Sequence, residues 1–177
     1  MKEAHSTQHT AHNFQALDQE AQAILGRYEE KKAAMLPLLR LVQEQYGYVT
    51  PEGEQWVAEQ IGTTPAHVRE VVTFYTLFRR QPVGKYHIQV CSNMSCWLAG
   101  CSEIIRYLEE KLQIKAGETT PDRRFTLSTV ECLCACEIAP MLQLNDQYVG
   151  PLTKASVDNM LAECLPAPPD GGAQAGR

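Results

Sequence analysis

The sequence predicts an α+β protein in which a small helical bundle precedes a domain of mixed strands and helices. From Leu17 to about residue 80, apolar side chains recur at the three- and four-residue intervals of helices. After Q-P-V-G at residues 81–84 the period changes, and K-Y-H-I-Q-V alternates as a strand does. The later segments follow the order β-α-β-β-α. We therefore place the bundle at residues 17–80 and the mixed domain at residues 84–165.

Four helices are predicted in the bundle. Two of them show a buried stripe, formed in the first by Leu17, Ala21, Ile24, Leu25 and Tyr28, and in the second by Met35, Leu39, Val42 and Tyr46, with Gly47 as its end. The other two begin at Thr50-Pro51 and Thr64-Pro65, because a threonine hydroxyl caps a helix and proline suits its first position. Their inward positions are Trp56, Val57, Gln60 and Ile61, then Val68, Val71, Val72 and Tyr75. Short connections between four helices indicate a bundle.

The mixed domain begins with a strand that ends at Cys91. A helix follows, with one apolar face formed by Cys101, Ile104, Ile105, Leu108 and Leu112. R-F-T-L-S-T-V predicts a second strand, and the residues after it predict a hairpin that turns at Asn145-Asp146. A last helix starts near Thr153 and faces the core with Val157, Met160, Leu161 and Cys164.

Both ends of the chain are predicted to be disordered tails. Residues 1–16 are polar, and we expect a solvated segment there rather than a metal site built from His5, His9 and His12. Residues 166–177 are rich in proline, glycine and alanine and cannot bury a core.

Composition excludes several classes of function. The 177 residues have a formal net charge of −5, which argues against a nucleic-acid partner. No run approaches the roughly 18 apolar residues of a membrane span, so we expect no direct membrane insertion. The N-terminal residues lack the apolar segment of a secretory signal. The chain also lacks a G-x-G-x-x-G motif after a strand and a P-loop, so we expect no cofactor site for hydride chemistry in it.

Seven cysteines point to metal or redox chemistry, since thiols of a cytosolic protein stay reduced. Cys101 and Cys164 fall on apolar helix faces, where packing explains them. The other five form two groups, each just after a predicted strand: Cys91 and Cys96 in C-S-N-M-S-C, and Cys132, Cys134 and Cys136 in C-L-C-A-C. Loops at neighbouring strand ends lie close together, so both groups could serve one centre.

The spacing of the cysteines favours a 2Fe–2S cluster over structural zinc. Zinc sites usually use C-x2-C pairs, and a thioredoxin-type dithiol needs C-x-x-C; neither spacing is present. A 2Fe–2S cluster takes two thiolates on each iron and accepts longer loops. Zinc remains the second interpretation. Spacing alone leaves open whether Cys134 is a ligand or a bystander between Cys132 and Cys136.

The motifs resemble a known family. C-S-N-M-S-C-W-L-A-G and F-T-L-S-T-V-E-C-L-C-A-C-E-I-A-P-M-L-Q-L-N-D are similar to the thioredoxin-like 2Fe–2S subunit of NADH:quinone oxidoreductase, respiratory complex I. The bundle segments L-P-L-L-R-L-V-Q-E-Q-Y-G-Y-V and V-V-T-F-Y-T-L-F-R-R-Q-P-V-G-K-Y-H-I-Q-V-C are similar to it too. The resemblance covers about residues 24–165. Similar subunits also occur in NAD-linked hydrogenases and formate dehydrogenases.

The resemblance implies a thioredoxin-like fold for residues 84–165 and one 2Fe–2S cluster held by Cys91, Cys96, Cys132 and Cys136. It implies that NADH and FMN bind a partner flavoprotein, with which this chain exchanges single electrons beside other iron–sulfur subunits. The peripheral arm of that complex lies on the cytoplasmic or matrix-equivalent side of its membrane. The family has glycine in C-L-G-x-C where this chain has Cys134, and glycine often marks a backbone conformation that other residues resist.

Further expectations concern the surroundings of the cluster. Backbone N–H groups of residues 92–95 and 133–135 are expected to stabilise its negative charge, and the helix after Cys96 is expected to point its positive end at it. Pro140, just before a strand, is expected to shape the site, and a proline here is often cis in thioredoxin-like folds. Basic pairs at Arg79-Arg80 and Arg123-Arg124 are candidate partner contacts, with a solvated surface as the default interpretation.

Overall fold

A computed structural model describes residues 13–165 of the chain. The chain divides into two compact units at Pro82 and Val83. The tail predicted for residues 166–177, and His5, His9 and His12, lie outside the described residues. Within the predicted N-terminal tail, Phe14 is ordered: its ring lies 5.0 Å from that of Tyr46 and 6.0 Å from that of Trp56. A 3-10 turn at Phe14–Leu17 overlaps the end of that predicted tail.

The first unit contains the four predicted helices. They are α1 (Asp18–Leu25), α2 (Met35–Tyr46), α3 (Pro51–Ile61) and α4 (Pro65–Phe74), with 3-10 turns at Phe14–Leu17 and Lys31–Ala34. The predicted caps are confirmed. Thr50 accepts a hydrogen bond from the N–H of Gly53 at 3.0 Å, and Thr64 accepts one from His67 at 3.3 Å. α2 ends at Gly47, whose φ of 82° suits glycine.

The core of this unit lies between the predicted apolar stripes. Its fully buried side chains include Leu38, Leu39, Val42, Val57 and Val68. Two inward assignments are wrong: Tyr28 and Tyr75 are 38% and 43% exposed. The reason is helix length, because α1 ends at Leu25 and α4 at Phe74. Beyond a helix end the helical period no longer fixes the direction of a side chain.

The second unit holds the predicted strands and helices in order, with one addition. The elements are β1 (Tyr86–Cys91), α5 (Met94–Leu98), α6 (Cys101–Leu112), β2 (Phe125–Val130), β3 (Leu142–Leu144), β4 (Gln147–Val149) and α7 (Lys154–Cys164). The addition is α5, one short helix around Cys96. The hairpin turns at Asn145, as predicted, with φ 53° at that residue. A capping box between Thr153 and Ser156 starts α7.

The four strands form one mixed sheet in the order β2-β1-β3-β4. β1 pairs in parallel with β2, in a register that runs from Tyr86 opposite Phe125 to Cys91 opposite Val130. β3 pairs antiparallel with β1 and with β4. Ile88, Leu108 and Leu127 are fully buried in the core of this unit.

Cys101 and Cys164 are buried, at 1% and 6% exposure, which confirms that they pack in the core. No helix among residues 13–165 has the length and apolar character needed to cross a membrane.

Candidate metal centre

The two cysteine groups leave the sheet at the same edge. Cys91 is the last residue of β1 and pairs with Val130, the last residue of β2. Because these strands are parallel, their carboxyl ends lie side by side. Cys132 follows two residues after Val130, so the two loops begin as neighbours. The N–H of Ser92 donates to the carbonyl of Val130 at 2.9 Å and ties the loops together.

Three of the predicted ligands come together in the structure. Interactions with the thiols of Cys96 and Cys132 both act to lower the pKa of the Cys91 thiol, so the three side chains are neighbours. Cys91 and Cys96 are buried, at 3% and 1% exposure, whereas Cys132 is exposed. Cys136 is also exposed and opens a 3-10 turn at Cys136–Ile138; it interacts electrostatically with Cys134. Within residues 13–165, no three His, Cys, Asp or Glu side chains surround a point that would hold a single metal ion.

Backbone N–H groups are directed at the sulfurs. Cys91 accepts from the N–H groups of Asn93 and Leu133, and Cys132 accepts from that of Cys134 at 3.4 Å. These donors lie in the two segments in which amide donors were expected. Cys96 accepts from the N–H of Met141, which sequence reasoning missed. Pro140 just before it was the available indication, because a proline before a strand marks a shaped turn.

The two buried thiols differ in acidity. Burial, together with the neighbouring thiols of Cys91 and Cys101, raises the pKa of Cys96 to about 11, although a hydrogen bond from the N–H of Met141 acts to lower it. Burial also acts to raise the pKa of Cys91, but the N–H groups of Asn93 and Leu133 and the thiols of Cys96 and Cys132 together lower it below its usual value. Cys91 is thus the readier thiolate of the buried pair.

Cys134 occupies a left-handed backbone conformation, with φ 56°. A residue with a Cβ reaches this region at a cost of about 1–2 kcal/mol, and glycine reaches it freely. The structure therefore gives the physical reason why glycine suits this position. The thiol of Cys134 lies 3.8 Å from that of Cys132, and this contact raises its pKa.

α5 places Cys96 inward and its neighbours outward. Cys96 is 1% exposed, whereas Met94, Trp97 and Leu98 are 73%, 61% and 73% exposed. The helix after Cys96 is α6, which begins at Cys101 within electrostatic reach of Cys91. That α6 directs its positive end at a bound cluster stays a prediction.

The segment directly after β4 packs against the chain that follows the second cysteine loop. A Cβ at Gly150 would collide with the carbonyl oxygen of Ile138 and lie 2.9 Å from the Cβ of Met141. The N–H of Leu152 donates to the carbonyl of Pro140 at 2.7 Å. The Ala139–Pro140 peptide is cis, as is Gly150–Pro151. Residues 138–141, which follow Cys136, are thus packed closely against residues 150–152.

Comparison with known proteins decides the family. The sequence profile of the thioredoxin-like [2Fe-2S] ferredoxins matches residues 21–165. The chain belongs to this family. The α+β fold class, the resemblance and the single 2Fe–2S cluster predicted from the sequence are thereby confirmed. The donor set fits that cluster, with two thiols of each loop available for two irons.

Curated relatives of this thioredoxin-like ferredoxin are named as subunits of one kind of complex. This chain is 43% identical to an NADH-quinone oxidoreductase subunit of Rhizobium meliloti, over 81% of this chain and 85% of the relative. It is 46% identical to NADH-quinone oxidoreductase subunit 2 of Thermus thermophilus, over 76% of this chain and 75% of the relative. A solved NAD+-reducing [NiFe]-hydrogenase shares the fold, with a TM-score of 0.62 and 19% identity over 72% of this chain and 22% of that one.

Proposed function

We propose that this chain is the 2Fe–2S electron-transfer subunit of an NADH:quinone oxidoreductase. The observation that carries the proposal is identity above 40% to such subunits along most of both chains. The structure supports it with two cysteine-bearing loops at the carboxyl ends of adjoining parallel strands. The chain itself would be an iron–sulfur subunit of a larger enzyme, without a complete active site of its own.

We propose Cys91, Cys96, Cys132 and Cys136 as the cluster ligands. The contacts of Cys91 with Cys96 and Cys132 support three of them. Cys136 is supported by the C-x3-C register and by its exposure at the start of a 3-10 turn. We leave Cys134 outside the proposed set because the C-x3-C register of the family places the two ligands of this loop at Cys132 and Cys136.

A cluster bound here would supply one-electron redox chemistry. The residues of the chain would hold it and set its potential. The amide donors from Asn93, Leu133, Cys134 and Met141 offset negative charge on the sulfurs. Because reduction adds negative charge, such donors favour the reduced state and raise the reduction potential. Burial of Cys91 and Cys96 acts in the opposite direction, since a dry surrounding disfavours added charge.

We propose that an exposed patch on α5 docks the flavoprotein that binds NADH and FMN. The patch consists of Met94, Trp97 and Leu98. All three side chains are more than half exposed and flank the ligand Cys96. Aromatic residues and methionine are enriched at protein interfaces, and contact here would bring the flavin towards the cluster. Arg123 and Arg124 precede β2, whereas the cysteine loop follows it, so this basic pair lies at the opposite end of the strand.

The proposal places the chain in the peripheral arm of its complex, on the cytoplasmic or matrix-equivalent side, among other iron–sulfur subunits. A tagged chain expressed in its native host should co-purify with quinone-reductase membrane subunits. Recovery of hydrogenase or formate dehydrogenase subunits instead would move it to the alternative host complexes.

Replacement of Trp97 by Ala should weaken flavoprotein co-purification, with Tyr148→Ala on the exposed hairpin as the matched control.

The cluster itself is tested on the purified full chain. Anaerobic preparation should give a brown protein with about two irons and two sulfides per chain, and dithionite reduction should produce the spin signal of one unpaired electron. A colourless protein that holds stoichiometric zinc would replace this proposal with a zinc-stabilised binding module.

A further inference from the structure

The thiols of Cys132 and Cys134 form a close and accessible pair. Their Sγ atoms lie 3.8 Å apart, and both residues are exposed. The N–H of Cys134 donates to the Sγ of Cys132 at 3.4 Å, which orients the two residues towards each other. A disulfide bond is about 2 Å long, so the two sulfurs would have to approach each other by about 1.8 Å to form one.

The backbone of Cys134 maintains this approach. Its φ of 56° turns the chain sharply between two proposed ligand positions, in a backbone conformation that residues other than glycine rarely adopt. A strained residue persists where the surrounding structure holds it, and such residues concentrate at functional sites. The thiol is thus held beside Cys132 by the fold of the loop.

Accessibility distinguishes this pair from the other thiols near the site. Cys91 also contacts Cys132, but it is 3% exposed, and Cys96 and Cys101 are each 1% exposed. Oxidation in solution favours thiols that a small reagent can reach. Among the contacts of Cys132 with other thiols, the one with Cys134 is therefore the most open to an oxidant.

We propose that, before the cluster is in place, Cys132 and Cys134 form a reversible disulfide that withholds Cys132 from iron. The inference rests on the proposed function in one respect, namely that Cys132 is a cluster ligand. The disulfide would make cluster loading depend on the thiol–disulfide state of the surroundings. Cys134 is then a redox partner of a ligand rather than a ligand.

The chemistry needs a low-molecular-weight disulfide, such as oxidised glutathione, as the oxidant. One protein thiolate attacks the S–S bond of the oxidant, forms a mixed disulfide and releases one thiolate. The second protein thiolate then attacks the mixed disulfide and releases the other. The two protein thiols lose two electrons and two protons, and the oxidant becomes two thiols. A thiol or phosphine reductant reverses the reaction.

The test uses the full chain, freed of cluster, reduced and then incubated anaerobically with oxidised glutathione. Intact mass should show the loss of two hydrogens, and fragmentation of alkylated peptides should place the link between Cys132 and Cys134. Chains that carry glutathione are removed by ion-exchange chromatography. The rate of cluster transfer from a preloaded scaffold protein, without free thiol, should then fall by about tenfold or more and recover after phosphine treatment.

Two variants control the experiment. Cys134→Ala keeps the backbone constraint and removes the thiol, so its cluster-transfer rate should be the same before and after oxidation. Cys164→Ala removes a buried thiol elsewhere and should behave as the unaltered chain does. A link between another pair of cysteines, or only glutathione adducts, would overturn the proposal. Formation of the link with an unchanged transfer rate would remove Cys132 from the ligand set, whereas a reduced chain that accepts no cluster would overturn the proposed function itself.

Discussion

The two cysteine loops differ in how the fold holds them. Cys91 and Cys96 sit on regular structure, a strand end and a short helix, and are almost fully buried. Cys132, Cys134 and Cys136 lie on an irregular and exposed segment. The comparison indicates that one half of the candidate centre is part of the core, whereas the other half is a surface loop.

The difference in burial between the two loops predicts a difference in what their thiols contribute to protein stability. A buried thiol behaves as a small hydrophobic group and contributes to stability even without a metal. An exposed thiol contributes little to folding and gains its importance from chemistry. Variants in the two loops should therefore affect cluster content in the same way and protein stability in different ways.

The largest expected effect is loss of the cluster from either loop. Cys96→Ala and Cys132→Ala should each lower iron content from about two atoms per chain to nearly none, because each removes one of four thiolates. Iron analysis and visible absorption measure this. The buried non-ligand variant Cys164→Ala should keep its iron. Full iron content in Cys132→Ala, or its loss in Cys134→Ala, would overturn the ligand assignment.

The next effect separates the loops by stability. In the cluster-free chain, Cys96→Ala should lower the free energy of unfolding by about 1–2 kcal/mol, since it leaves a cavity in the core. Cys132→Ala should change it by less than about 0.5 kcal/mol. Urea denaturation followed by circular dichroism measures both. Equal losses would show that the second loop is as much a part of the core as the first.

A smaller gain in stability is expected at Cys134. Cys134→Gly should raise the free energy of unfolding by about 0.5–1 kcal/mol, because glycine adopts the left-handed conformation without strain. Cys134→Ala is the matched control: it removes the same sulfur but keeps the Cβ, and so should gain nothing. If both variants were equally stable, the backbone at this position would not be the source of the cost.

The last expected effect is a pH dependence of the stability that Cys96 contributes. In the cluster-free chain, burial raises the pKa of Cys96 from 9.0 to about 11. A raised pKa means that the unfolded chain loses this proton first, so the contribution of Cys96 to stability is full below pH 9 and is lost as pH rises towards 11. The stability difference between the unaltered chain and Cys96→Ala should therefore shrink as the pH rises from about 9 towards 11. A constant difference would contradict the pKa shift.

Much of the fold could be predicted because the chain carries strong local patterns. Thr50-Pro51 and Thr64-Pro65 marked two helix starts through capping chemistry, and the apolar stripe of α6 was long enough to show its period. α5 was missed because Met94–Leu98 covers little more than one turn, too few residues to show a period. The inward placement of Tyr28 failed because the pattern does not show where the helix stops.

The site divides in the same way between what local patterns show and what only the fold shows. The cysteine groups and their placement after strands followed from the sequence, and so did amide donors in the two loops. The donor at Met141 did not, because it depends on how the hairpin returns to Cys96. Neither did the 3.8 Å approach of Cys132 and Cys134, since spacing alone does not give the backbone angles that create it.

The tight fit at Gly150 has a consequence for genetics. A methyl group at that position would push against the carbonyl of Ile138, and the displacement would pass along the loop to Cys136. Screens for colourless colonies of cells that overproduce this chain should therefore recover substitutions at Gly150, just after a hairpin that contributes no sulfur. Inherited defects of iron retention in such a protein need not map to its cysteines.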